Sequence, residues 1–74
     1  MAVLEFTHFT PSGTAVEVEI KKGDVVSYAS RSGYIKCGPV WNVDGAMFTA
    51  GKTRAYMWFS SIRAVNGIEL DDFT

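Results

Sequence analysis

Val16, Val18 and Ile20 alternate with Glu17 and Glu19. Successive side chains of a strand point to opposite faces, so this period of two fits a half-buried β-strand with an acidic face in water. Leu4 and Phe6, separated by Glu5, repeat the pattern and read as the hairpin partner across the turn Thr10-Pro11-Ser12-Gly13. No window carries a helical apolar stripe, and Gly, Pro, Asn and Asp punctuate the chain at short intervals. The expected class is therefore all-β.

Lys21-Lys22-Gly23-Asp24 reads as a polar turn into a strand over 25–29, followed by the loop Ser30-Arg31-Ser32-Gly33 and a short strand over 34–37. Pro39 has no N–H to give to a ladder, so Gly38-Pro39 is expected to end that strand. Segments 40–43 and 46–49 then form a hairpin about a two-residue Asp44-Gly45 turn of type I′, a register that sets Trp41 opposite Phe48. Residues 50–53 form a loop. Segment 54–59 is apolar on both faces and reads as a central or interface-forming strand. Ser60-Ser61 looks like a break with one 3₁₀ turn, and Asn66-Gly67 is a second primed-turn signal. The sum is five to seven short strands in one domain over residues 1–74, as a small SH3-like barrel or a rolled antiparallel sheet.

A chain of 74 residues buries only about 60% of its unfolded surface, and a 47% hydrophobic, 14% aromatic composition is what lets it fold without staples. Cys37 is the single cysteine and His8 the single histidine, which leaves no disulfide and no Cys-based zinc site; no metal or cofactor is expected. There is no run of ~20 apolar residues for a membrane span and no signal-peptide pattern at the start, so the expected setting is the cytoplasm.

Charge is segregated although the net is only −1. All seven Lys and Arg lie within residues 21–63, opposed there by Asp24 and Asp44 alone, a local +5; Glu5, Glu17, Glu19, Glu69, Asp71 and Asp72 give the ends −6. Aromatic residues interleave with the cations, as a surface for an anionic partner requires. Alternate residues of 54–59 separate into Arg54, Tyr56, Trp58 and Ala55, Met57, Phe59. One set is core: either Arg54, Tyr56 and Trp58 form an outward stripe that stacks bases or proline rings, or Trp58 is itself core. The candidate binding residues are Arg31, Tyr34, Lys36, Arg54, Tyr56 and Trp58, with Lys21 and Lys22 extending the cationic track.

Other constellations have ordinary structural readings. Segment 46–53 satisfies a relaxed phosphate-loop pattern, but that chemistry needs a helix whose N-terminus faces the phosphates, and the segment after Thr53 is strand-like. Cys37 and His8 have no spacing that forces them together; a buried Cys and a partly buried, hydrogen-bonded His near the hairpin end are expected. Glu5, Glu17 and Glu19 form a solvated acidic ribbon. No catalytic residues are assigned.

Lys22-Gly23-Asp24-Val25-Val26, a glycine-bearing loop, a hairpin, and an apolar strand ending in a short break resemble the layout of SH3-like barrels over about residues 20–70. Gly23-Asp24-Val25-Val26, Ser32-Gly33, Gly38-Pro39 with Val43, and Trp58-Phe59 are similar to motifs of the YodC-like family of short, functionally uncharacterised bacterial proteins. That resemblance implies a fold and no activity. The plasmid type of dihydrofolate reductase uses a barrel of this size, but its Val-Gln-Ile-Tyr strand has no equivalent in 54–59.

The leading expectation is a non-enzymatic module that binds a protein partner through an aromatic groove or an exposed β edge. The alternative is binding of single-stranded or structured nucleic acid by the basic centre, and self-association is expected to cover surplus apolar surface.

Overall fold

The computed structural model describes residues 2–52 and 54–73. Among them the chain forms eight strands in two antiparallel sheets: β1 (Val3–Phe9), β2 (Ala15–Lys21), β3 (Val25–Ala29), β4 (Ile35–Asp44), β5 (Met47–Ala50), β6 (Met57–Trp58), β7 (Ile62–Val65) and β8 (Ile68–Glu69). β1 and β2 make one sheet, and the other has the order β6-β5-β4-β3-β7-β8. Neither closes on itself, so β6 and β8 remain edges. Among the described residues no helix is long and apolar enough to cross a membrane.

The alternation in β2 decides how the small sheet packs. Val16, Val18 and Ile20 are buried while Glu17 and Glu19 face water, and the register Leu4↔Ile20, Phe6↔Val18 puts the apolar residues of β1 on the same side. That side closes over the large sheet. Leu4, Val18 and Ile20 share one core with Val26, Tyr28, Val40, Phe48, Ile62, Val65 and Leu70. Phe6 stacks on Phe59 with ring centroids 4.9 Å apart, and Tyr28 meets Phe48 edge-on at 6.1 Å. Fully burying a side chain of this size stabilises by about 1.5–3 kcal/mol. A C-terminal 3₁₀ turn, Leu70–Asp72, adds Leu70 to the core and is tied to β1 by His8 Nε2 and Asp71 Oδ1 at 2.7 Å. His8 is thus hydrogen-bonded and partly buried, as its place in the hairpin predicts.

The turn after β7 obeys its Asn-Gly signal. Asn66 and Gly67 have φ of 51° and 84°, both left-handed as a type I′ turn requires. Asn66 also stitches β3: its N–H donates to Val25 O at 2.6 Å, and its Oδ1 accepts from Val25 N–H at 3.0 Å.

Four sequence expectations are corrected. Gly38-Pro39 does not end a strand, because β4 runs unbroken from Ile35 to Asp44 with Pro39 opposite Val25. The hairpin after it turns on Gly45 and Ala46, one residue later than expected, with Asp44 opposite Met47 and Val43, not Trp41, opposite Phe48. Gly45 has φ +60° and Ala46 lacks a positive φ, the φ pattern of a type II′ turn. Segment 54–59 is not a central strand: only Met57 and Trp58 pair, at the sheet edge, before the 3₁₀ turn Phe59–Ser61. Cys37 is exposed instead of buried. It alternates with Gly38, which faces the core side, and so falls on the outer face.

Candidate functional site

One spacing creates the site. Val40 and Val43 are three apart, yet both pair with interior residues that are two apart, Ala50 and Phe48. A strand keeps an odd interval on one face only by expelling a residue, and the register shift between Val40 and Asn42 does so at Trp41. Trp41 is 50% exposed as a result.

Its ring is nevertheless held. The indole Nε1 donates to Gly51 O. The register that pairs Val40 with Ala50 brings Pro39 opposite Gly51, where Gly51 N–H donates to Pro39 O at 2.9 Å. A residue with an N–H at 39 would return the second bond of that pair; proline cannot, and the Trp41 indole takes its place at the Gly51 carbonyl. Gly51 has φ +61°, and a Cβ there would meet the Tyr28 hydroxyl at 3.0 Å. Tyr28 Oη in turn donates to Ala50 O at 3.3 Å.

Three surface grooves meet at Trp41. The first, about 600 Å³, is lined by Trp41, Asn42, Thr49, Lys52, Arg54 and Tyr56 together with Gly51. The second, about 580 Å³, continues past Gly51 and Lys52 along Lys36, Cys37, Gly38 and Pro39, with Tyr28 beneath. The third lies between Trp41, Asn42 and Val43 and the cations Lys21 and Lys22. Five of the seven Lys and Arg residues therefore line grooves that share one tryptophan, and among the described residues no carboxylate lines any of the three. Among the described residues no Lys or Arg is ion-paired, the single close pair being His8 with Asp71. Unneutralised cations around a partly desolvated aromatic ring attract anionic groups and give them an apolar surface to lie on.

Of the residues singled out from the sequence, Arg54 and Tyr56 line the first groove and Lys36 the second. Arg31 and Tyr34 are exposed in the β3–β4 loop and line none of the three. Trp58 is 60% exposed on β6 and also lies outside them, so its assignment to the core is excluded while the outward stripe with Arg54 and Tyr56 does not form one groove. Sequence reasoning missed Trp41 and Lys52. The signal for Trp41 was present in the odd interval between Val40 and Val43.

The acidic ribbon is as expected, with Glu5 opposite Glu19 and Glu17 accepting from Thr7 Oγ1 at 2.9 Å. The phosphate-loop pattern falls on β5 and the turn after it, where Gly51 N–H is already given to Pro39; its last residue, Thr53, lies outside the described residues. Among the described residues no three His, Cys, Asp or Glu side chains converge as a metal site would need.

In comparisons with known proteins, no family model matches the chain, and neither a curated protein nor a solved structure matches it.

Proposed function

We propose that this chain is a non-enzymatic binding module whose recognition surface is the set of grooves around Trp41, and that it takes an acidic protein partner there. The observation that carries this reading is the collection of Lys21, Lys22, Lys36, Lys52 and Arg54 about one exposed tryptophan, in grooves that no carboxylate lines among the described residues. An anchored aromatic ring with a cationic rim is the arrangement from which binding hot spots are built. An SH3-like barrel layout, with the YodC-like motifs at its turns, is the fold reading that goes with this function. A cytoplasmic setting fits the lone exposed thiol of Cys37, which stays reduced there.

Single-stranded nucleic acid is the second reading, favoured by the same cations and by Tyr56 beside Trp41. The acidic β1–β2 face and net charge of −1 weigh against a dedicated nucleic-acid binder.

Labelled acidic peptides and labelled single-stranded oligonucleotides, titrated in parallel against the wild type and Lys52→Glu, separate the two. The expected result is peptide binding that weakens about tenfold or more in the variant, since reversing a charge at the groove costs more than ~1.4 kcal/mol. Oligonucleotide binding with a salt slope of about −0.7 per contact, and none for the peptide, would replace this reading by the nucleic-acid one.

A further inference from the structure

The two flanks of β4 are covered to different lengths. β3 pairs along Ile35 to Pro39, whereas β5 pairs only with the second half of β4, the outermost pair being Val40↔Ala50. Beyond it Gly51 N–H reaches Pro39 O, and β5 itself ends at Ala50. Alternation fixes where the remaining backbone groups aim. Val40 bonds Asp24 and Gly23 on the β3 flank, while Pro39 bonds Gly51 on the other. Ile35 and Cys37 share the parity of Pro39, so their N–H and C=O groups aim away from β3. Among the described residues those four groups have no partner on that flank. This bare edge lies in the interior of the six-stranded order and borders the second groove, which Lys36 and Lys52 also line.

We propose that the bare flank of β4 at Ile35 and Cys37 is a strand-addition site for an extended acidic peptide. The peptide lies alongside Ile35 and Cys37 and brings carboxylates to Lys36 and Lys52. This rests on the binding-module reading above and names how the partner docks. Backbone pairing supplies affinity and the flanking side chains supply specificity, as in other cases where a strand is added to a sheet edge. Charge selects the occupant: among the described residues two lysines and no carboxylate border the groove, so a neutral or basic strand leaves cations unmatched. Lysine and proline on an edge also deter indiscriminate pairing, and a lysine guard admits a strand that bears acids. A phosphodiester backbone accepts from N–H groups but offers no donors for the two carbonyls.

The test uses the full chain labelled with ¹⁵N and two blocked peptides, one alternating Glu with Val and one alternating Lys with Val. With the Glu peptide, the Ile35 and Cys37 amides are expected to gain about tenfold or more protection from hydrogen exchange, and with the Lys peptide none. N-methylation of the peptide at alternate residues is expected to weaken binding about fivefold in one parity, the equivalent of a backbone bond, and little in the other. A shift of the Trp41 indole resonance with unchanged exchange at Ile35 and Cys37 overturns strand addition and leaves the groove reading standing. If neither peptide moves Trp41, both fall. Protection that rises with protein concentration alone, or that an oligonucleotide produces instead, overturns the proposal in favour of a second copy of the chain or of nucleic acid.

Discussion

Gly38 and Gly51 meet backbone to backbone: a Cβ on Gly38 would lie 2.5 Å from Gly51 Cα and 2.9 Å from Gly51 N. The contact brings Gly51 N–H to Pro39 and Gly51 O to the Trp41 indole, so it sets the pose of the residue on which the grooves converge. Gly38→Ala drives a methyl group into main chain that has no flexible side chain to move. The expected cost is ~1–3 kcal/mol, together with a displaced Trp41 indole resonance. Urea unfolding and a proton–nitrogen spectrum check both; an unchanged midpoint with an unmoved indole would show that the two strands part without penalty.

Asn66 combines a positive φ with two hydrogen bonds to Val25, and two substitutions separate these contributions. Asn66→Gly keeps the left-handed turn and the backbone bond while removing the side-chain acceptor, for an expected loss of ~1 kcal/mol. Asn66→Ala adds the left-handed steric penalty, for a further ~1 kcal/mol. Equal unfolding midpoints for the two variants would mean that the φ constraint contributes nothing here.

Where alternation and turn chemistry act locally, the structure was legible. Val16, Val18 and Ile20 with Leu4 give the β1–β2 hairpin, and Asn66-Gly67 gives the β7–β8 turn. What escaped is non-local. Pro39 reads as a breaker because its missing N–H is visible in sequence, but the indole that substitutes at Gly51 becomes visible only with the strands paired. The register around Trp41 depends on which residues Phe48 and Ala50 face, and one expelled residue moved both the turn and the site. For the candidate site, Lys36, Arg54 and Tyr56, singled out by type and clustering, line the grooves around Trp41, whereas Arg31, Tyr34 and Trp58 share the same composition and lie elsewhere. Composition marks a cationic, aromatic centre; only topology says which of its members share a groove.

Trp41→Phe tests the indole anchor. Phenylalanine keeps an aromatic face but cannot donate to Gly51 O, so stability is expected to fall by ~0.5–1.5 kcal/mol. Affinity for an acidic peptide should drop as well, by less than in Trp41→Ala, where the ring itself is lost. Thermal melts and fluorescence anisotropy measure the two effects. Wild-type stability in Trp41→Phe would mean that water replaces the indole without cost.

Trp58 and Phe48 carry opposite expectations although both are large aromatics on the same sheet. Phe48 is fully buried against Tyr28, so Phe48→Ala removes ~3–5 kcal/mol from a small domain whose total on the usual per-residue scale is ~4–11 kcal/mol. That variant is expected to be largely unfolded near 37 °C by circular dichroism. Trp58 is 60% exposed on a two-residue edge strand, and its carbonyl, not its ring, holds Ser61 Oγ at 2.7 Å. Trp58→Ala leaves that bond in place and should shift stability by no more than ~1 kcal/mol. Because the ring lines none of the grooves around Trp41, acidic-peptide affinity is expected to stay at the wild-type level in the same variant. A folded Trp58→Ala protein that no longer binds would move the recognition surface from Trp41 to the β6 edge.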